Sequence, residues 1–305
     1  MLSRYADVVA ALGDSRLSGG GDAGPRGTHV AMREAARRAF SADRLAAWKQ
    51  EIESSARACA TSLSGSEFDL VGNFAAPWGL SVAMLATAAP SSQAEQLAML
   101  ARKVFLSAAH ATDAEVSPAG QEASAELARI FATHAEAAPI HVQAFVALSQ
   151  TLPCFLAAAW HALLEHPDEL ARLRADRSLM PSAVEELLRF AGPSRAVFRR
   201  ATSGVNVGGA QIDAGDRVVL LLSAANRDPD RFDDPDRLNL DRDATGHLAF
   251  GRGTHFCAGA PLIRTALTAA TSVLLDTSLC NGHVAHVEWI DGYAIRGPVA
   301  ILMER

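Results

Sequence analysis

The chain has 305 residues, enough to bury one large core, and 28 Lys and Arg against 34 Asp and Glu give a formal net charge of −6. No basic tract stands out, which argues against a nucleic-acid partner. No run of about 18 apolar residues is uninterrupted and the N-terminus lacks a cationic, apolar leader, so we expect neither a membrane span nor secretion. The four cysteines show no disulfide spacing, which indicates a reducing, cytoplasmic location.

The first part of the chain predicts mostly helix. Residues 29–62 have the pattern of two amphipathic helices, with Ser41 as the cap at their junction. Residues 140–164 are almost wholly apolar over the length of a long helix, so we expect this helix to be buried on all sides.

Two shorter amphipathic helices are predicted next. Pro167 suits the first turn of one of them. At the start of the other, Ser182 and Glu185 have the spacing of a capping box, in which each side chain bonds a free backbone N–H group of the first turn.

The sequence changes character after Phe190. Residues 199–228 show alternation of apolar and polar side chains and contain Gly-Gly and Ala-Gly-Asp turns, which predict short β-strands and hairpins. A loop rich in Pro and Asp, a helix over 259–275 and strand-like residues at 287–303 complete the chain. Since no repeat or linker interrupts it, we expect residues 1–305 to form a single domain that is mainly α with a small β region.

One cysteine lies in a setting suited to chemistry. The stretch FGRGTHFCAG places Cys257 just before a predicted helix, whose free N–H groups and dipole favour an anionic sulfur. Gly251 and Gly253 allow a tight turn and close approach to a flat ligand, and Phe250 can shield the sulfur from water. The alternative interpretation is an inert, buried cysteine in a glycine-rich turn.

The motif F-G-x-G-x-H-x-C-x-G, continued by A-P-L-x-R through Arg264, closely resembles the haem-ligand loop of the cytochromes P450. The resemblance implies that the cofactor is haem b (iron protoporphyrin IX), with Cys257 as the axial thiolate ligand of its iron. It also implies that His255 donates a hydrogen bond to a haem propionate. The other cofactor contacts implied within this loop are Phe250, Gly251 and Gly259.

Other motifs of the same family occur in the same order. Glu186 and Arg189 match the E-x-x-R ion pair that braces the fold beneath the haem. The segment 226–237 resembles the loop that completes this network, with Arg237 as the implied partner. The resemblance covers nearly the whole chain, which is short for the family, so it implies a shortened cytochrome P450-like fold.

Three further residues match propionate contacts of the family. His29 and Arg33 have the H-x-x-x-R spacing on one helix face, and Arg199 lies at the start of the first predicted strand. A haem carries two negative propionates, so clustered His and Arg donors have an electrostatic purpose.

The resemblance breaks at the central helix, where the family has A-G-x-(D/E)-T above the iron. Register set from His166 and Pro167 aligns Thr151 with the alcohol, Gln150 with the acid and Leu148 with the glycine. This chain therefore reads ALSQT. A carboxylate can load and release a proton near neutral pH, whereas the Gln150 amide can only hydrogen-bond.

The candidate catalytic residues are therefore Thr151, Gln150 and Ser149. Pro153 lacks a helical N–H group and should free the carbonyl of Ser149, which would open the helix at this point. Ser149 and Thr151 are candidates to hold a chain of water molecules in place of the missing acid.

Substrate contacts are expected on three elements around the implied haem. Arg195 is the most informative, because a cation near the iron could hold a carboxylate substrate; the alternative is that it points to solvent. The candidate residues are Ala144, Ala147 and Leu148 on the central helix, Arg195 and Val197 after the E-x-x-R helix, and Tyr293 in the closing strands.

Three functions follow from the resemblance. The first is a haem-thiolate monooxygenase with an atypical proton relay that oxidises a small organic molecule in bacterial specialised metabolism, such as antibiotic biosynthesis, with ferredoxin and ferredoxin reductase as electron donors. The second is a haem enzyme that uses peroxide, or that catalyses dehydration, isomerisation or cyclisation. The third is a non-catalytic accessory protein, against which the complete Cys257 loop argues.

Overall fold

The computed structural model describes residues 1–19, 34–111, 117–132 and 138–304. The helices are α1 (Tyr5–Gly13), α2 (Ala42–Ala60), α3 (Ala76–Thr87), α4 (Ala94–Ala109), α5 (Pro118–Ala132), α6 (Ala138–Val146), α7 (Leu152–Leu164), α8 (Pro167–Ala175), α9 (Met180–Ala191), α10 (Leu222–Ala225) and α11 (Ala260–Leu275). Residues 34–39 are also helical. The strands are β1 (Leu17–Ser18), β2 (Glu67–Asp69), β3 (Ala196–Ala201), β4 (Val205–Val207), β5 (Ala210–Ile212), β6 (Arg217–Leu221), β7 (His283–Asp291) and β8 (Arg296–Glu304).

The strands form small antiparallel sheets, which confirms the predicted minor β region. One sheet has the order β1-β3-β6, a second β2-β8-β7, and β4 pairs with β5 as a hairpin. In the second sheet Phe68 pairs with Met303, so the early β2 strand is joined to the end of the chain. In the first, Leu17 pairs with Ala201 and joins the segment after α1 to β3.

A nearly continuous helical run over Ile140–Leu164 passes through the protein as α6, a wider turn at Ala147–Thr151, and α7. Within that turn the Leu152 N–H group bonds the Ala147 carbonyl, one residue further back than in an α-helix. Pro153 lies in the first turn of α7. The predicted opening of the helix is therefore confirmed.

The main hydrophobic core surrounds this run, and its largest side chains include Trp78, Phe145 and Trp160, which are fully buried. Among the described residues, Ile140–Leu164 is the one helix long and apolar enough to cross a membrane. However, 72% of its apolar window is buried inside the protein, as expected of a core helix.

The predicted helix starts have different outcomes. Ser41 is the residue before α2, although its side chain makes no capping bond, and Pro167 opens α8 as predicted. The capping box at Ser182 and Glu185 is wrong. The helix α9 begins at Met180, so Ser182 is already inside it and donates to the Leu179 carbonyl, whereas Glu185 binds groups from elsewhere in the fold.

Candidate functional site

The loop around Cys257 leads into the N-terminus of α11. The Cys257 N–H group donates to the Phe250 carbonyl over 3.0 Å, which closes the loop. Burial raises the pKa of the Cys257 thiol above its ordinary value, while hydrogen bonds from the backbone N–H groups of Gly259 and Ala260 and the charge of Arg264 act to lower it. The protein alone therefore leaves this sulfur as a thiol, and a metal cation would supply the charge that deprotonates it.

Two glycines make the backbone of this loop possible. Gly251 and Gly253 have φ angles of +66° and +73°, in the left-handed region where a side chain is strained. A Cβ atom at Gly253 would lie 2.8 Å from the Leu12 carbonyl oxygen, so α1 also packs closely against the loop. The tight turn predicted from the sequence is confirmed.

Aromatic rings flank the sulfur. Phe250 is buried and meets Phe256 edge to face at 6.2 Å between ring centroids, and the Arg264 guanidinium lies 4.8 Å from the Phe250 centroid. Phe256 is 41% exposed and Cys257 only half-buried, so this face of the loop presents apolar surface beside the thiol. Such a surface suits a flat apolar ligand.

Glu185 fixes Arg264 from the neighbouring helix α9. Its carboxylate accepts bonds of 2.5 and 2.8 Å from Arg264 and lies 3.3 Å from His247 Nε2. Burial raises the pKa of Glu185, but the hydrogen bonds from Arg264 and His247 outweigh it and lower the pKa to about 2. Glu185 thus stays ionised and holds α11 against α9.

The next residue, Glu186, forms the E-x-x-R pair in the protein interior. Both side chains are 0% exposed, and Arg189 binds the Glu186 carboxylate through two bonds of 2.7 and 2.8 Å. Arg189 also donates to the carbonyls of Asn226 and Pro235 over 2.8 and 2.9 Å. The pair therefore anchors the irregular segment that leads to the Cys257 loop.

The third member of this network is Arg242, and the prediction of Arg237 is wrong. Arg242 Nε donates to Glu186 over 3.1 Å, whereas the Arg237 carbonyl merely accepts a bond from Arg242 over 3.3 Å. The segment turns at Asp234, where φ is +43°. How such an irregular loop folds back cannot be derived from residue spacing, and no local signal distinguished Arg242 from Arg237.

Two of the predicted propionate contacts come together at the end of β1. A Cβ atom at Gly19 would lie 3.4 Å from His255 Cε1 and 3.7 Å from Arg199 Nη1. Arg199 is in the middle of β3, nearly buried, and donates to the Phe198 carbonyl. The other two predicted contacts, His29 and Arg33, lie outside the described residues.

These residues fit the haem that the sequence motifs imply. The donor set consists of one half-buried thiol with two backbone N–H groups directed at it, together with an imidazole and a guanidinium that converge near Gly19. Cys257 would hold the iron, and His255 and Arg199 the propionates. Gly251, Gly259 and Phe250 would contact the ring.

The residues of the ALSQT turn do not all face the same way. Ser149 and Gln150 line a cavity of about 340 Å³ between α3, α4 and β8. Thr151, Ala144 and Ala147 are not among its lining residues. The Ser149 hydroxyl is buried without a hydrogen-bond partner within the described parts of the chain.

Leu148, predicted as a substrate contact, is buried. Its side chain is 3% exposed and belongs to the main core, and its carbonyl oxygen would lie 3.0 Å from a Cβ atom at Gly79. The assignment of Leu148 as a substrate contact is corrected, because close packing of the turn against α3 occupies this position. Ala144, Ala147 and Thr151 are half-buried.

The remaining substrate candidates are on or beside the sheets. Arg195 forms an ion pair of 2.7 Å with Asp291 and is partly exposed, so its charge is already compensated. Val197 pairs with Leu220 within β3 and β6. Tyr293 lies in the turn between β7 and β8, where its ring stacks on Phe198 at 6.0 Å.

Comparisons with known proteins agree with this geometry. The family model for Cytochrome P450 matches residues 169–277. Cytochrome P450 monooxygenase PikC of Streptomyces venezuelae is 48% identical over 132 residues, which cover 43% of this chain and 32% of that protein. The aligned part spans about a third of the length of the first curated relatives it matches.

Other similarities extend over nearly the whole chain. Nocardicin C N-oxygenase of Nocardia uniformis subsp. tsuyamanensis is 31% identical over 351 residues, which cover 99% of this chain and 88% of that protein. The crystal structure of CYP109B1 from Bacillus subtilis matches with a TM-score of 0.87 at 25% identity, covering 100% of this chain and 92% of that chain. With the Cys257 loop and the buried Glu186–Arg189 pair in place, the chain belongs to the cytochrome P450 family.

Proposed function

We propose that the protein is a cytoplasmic haem-thiolate monooxygenase that oxidises a small organic molecule in bacterial specialised metabolism. The observation that carries this proposal is the Cys257 loop, where a half-buried thiol receives backbone N–H groups at the start of α11. Relatives named 6-deoxyerythronolide B hydroxylase and Nocardicin C N-oxygenase support oxidation in specialised metabolism, including antibiotic biosynthesis. Ferredoxin and ferredoxin reductase are the proposed electron donors.

When bound, haem b supplies an iron centre with thiolate ligation that favours cleavage of the O–O bond. The N–H groups of Gly259 and Ala260 stabilise negative charge on the Cys257 sulfur, and buried Phe250 limits access of water. His255 and Arg199 would hold the propionates, His255 through a hydrogen bond and Arg199 through its charge.

Proton supply differs from the family pattern. Gln150 can orient a water molecule through its amide but cannot release a proton. We propose that Ser149 and Thr151 hold water beside it, because a hydroxyl both donates and accepts hydrogen bonds and Ser149 Oγ is unpartnered among the described residues. The relay would then carry protons without a carboxylate of the chain itself.

Gln150 also favours the second candidate function, a haem enzyme that does not activate oxygen reductively. Peroxide-driven oxidation starts from a reagent that already carries its protons, and dehydration, isomerisation and cyclisation consume no oxygen. These reactions therefore depend less on a carboxylic acid at this position than reductive oxygen activation does. An accessory protein without activity has no need of the N–H groups directed at the Cys257 sulfur.

The decisive test is the spectrum of the purified protein with ferrous iron and carbon monoxide, followed by product analysis. We expect a carbonyl band typical of thiolate ligation, and turnover that requires oxygen, ferredoxin and a reductant. Turnover that continues without oxygen and reductant would establish the second function. A polypeptide that stays colourless after hemin is supplied contradicts both.

A further inference from the structure

The cavity beside Gln150 is distinct from the face of the Cys257 loop. Its described lining is mostly apolar. It comes from the helical turn Leu70–Ala75, α3, α4, the ALSQT turn, the start of α7, and β8, and it includes Val71, Leu80, Ala98, Phe105, Pro153 and Val299. Its volume of about 340 Å³ is within the range of small-molecule pockets, roughly 300–1,000 Å³.

The polar side chains of this cavity are either cationic or neutral. Arg102, Ser149 and Gln150 are its polar side chains, and no acidic residue is among the described lining residues. Arg102 and Gln150 have no side-chain hydrogen bond or ion pair with any residue in the described ranges, and the buried hydroxyl of Ser149 is also unpartnered there. Arg102 is solvent-exposed and Gln150 is half-buried, whereas Ser149 is buried. An apolar cavity with an exposed cation and two neutral hydrogen-bonding groups in its lining is complementary to an apolar molecule with an anionic end.

The cavity is lined by only some residues of the central helical run. Ser149, Gln150 and Pro153 lie on its side of the central run, whereas Ala147 and Thr151, the expected haem-side residues, do not line it. A ligand in the cavity would therefore contact Ser149 and Gln150, and not Ala147 or Thr151. Gln150 is the position at which the family pattern has a carboxylic acid.

We propose that this cavity binds a medium-chain monocarboxylate, with its hydrocarbon chain along α3 and α4 and its carboxylate between Arg102 and Gln150. The ligand would bring a titratable carboxyl group to the position where the chain itself has an amide. Binding does not require the proposed function. Only the consequence for proton supply rests on the proposed function. A failure of octanoate binding is therefore distinguishable from a failure of the proposed function.

The test is calorimetric titration of the haem-loaded protein with octanoate, with octanol as the uncharged probe. We expect octanoate to bind more tightly than octanol. The Arg102→Ala variant should weaken octanoate binding about fivefold, as for an exposed ion pair. The matched control Lys103→Ala removes the adjacent exposed cation, which does not line the cavity, and should change the affinity less than twofold.

Two further variants address the apolar part and the polar end. Ala98→Phe fills the cavity from a half-exposed position and should abolish binding, and Gln150→Glu should weaken it at least fivefold through charge repulsion. Imidazole, which binds iron, should not compete with octanoate. The proposal would be overturned if octanoate did not bind, if octanol bound equally well, or if imidazole competed with octanoate. It would also be overturned if folded Ala98→Phe and Gln150→Glu bound octanoate as the wild type does, or if Arg102→Ala and Lys103→Ala had equal effects.

Discussion

The Cys257 loop and the turn at Ala147–Thr151 both depart from regular helix, but their polar groups are satisfied differently. In the loop, Gly251 and Gly253 adopt the required positive φ angles and the sulfur receives two backbone N–H groups. In the turn, the backbone hydrogen-bond pattern is widened, and Ser149 Oγ is buried and unpartnered within the described residues. The polar groups of the loop thus have partners within the chain, whereas the Ser149 hydroxyl of the turn is available to a partner from outside it.

The largest expected effect is on the loop. Cys257→Ala removes the sulfur that holds the iron, so we expect complete loss of the thiolate-type ferrous carbonyl band and a large fall in bound iron. The control is Cys280→Ala, which removes a half-buried cysteine from the segment before β7. An unchanged carbonyl spectrum in Cys257→Ala would refute the assignment of the ligand.

The support beneath the loop is tested by its buried ion pair. Glu186→Gln leaves Arg189 charged and fully buried, so it should lower the free energy of unfolding by about 3–5 kcal/mol. Glu185→Gln, in the half-exposed pair with Arg264, should cost only about 1 kcal/mol. Urea unfolding measures both, and equal losses would show that the difference in burial is energetically unimportant.

Alanine substitutions at the two glycines of the loop distinguish the cost of backbone strain from the cost of a close contact. Gly251→Ala should cost about 1 kcal/mol through its positive φ alone, because the nearest atom to the new Cβ would be 3.9 Å away. Gly253→Ala should cost about 2 kcal/mol or more, since its Cβ would also press on the Leu12 carbonyl. Thermal unfolding decides between them; a cost no greater for Gly253→Ala would argue against close packing with α1.

The turn is tested by restoring the acid. Gln150→Glu provides a group that can release a proton, so oxygen-dependent turnover should rise about a hundredfold, at the low end of what a positioned acid contributes. Gln150→Leu, which cannot hold a proton or orient water, should not increase it. Equal turnover in the wild type and Gln150→Glu would mean that proton supply does not limit the reaction.

The smallest expected effect is on the pH dependence of stability, through Glu185 in α9. The pKa of Glu185 is about 2 in the folded protein, below its ordinary value of 4.5, so its stabilising contribution is complete above about pH 4.5 and is lost as the pH falls toward 2. Wild-type protein should therefore lose about 1 kcal/mol more over this interval than Glu185→Gln, allowing for partial exposure of the pair. Parallel stability curves for the two proteins would contradict this.

Some features were determined by the sequence alone. Cys257 at a helix start, the positive-φ glycines beside it, the Glu186–Arg189 pair and the opening of the central helix before Pro153 all depend on residues close together in the chain. Backbone geometry and helical spacing fix such features locally. Sequence reasoning therefore found them without knowledge of the fold.

Other features were decided by tertiary structure. Arg242 rather than Arg237 reaches Glu186, Glu185 binds Arg264 instead of capping its helix, and Leu148 packs into the core. The cavity that joins Arg102 to Gln150 also exists only because distant helices meet there. These contacts depend on how irregular loops and packed helices are arranged in space, which local propensity and residue spacing do not specify.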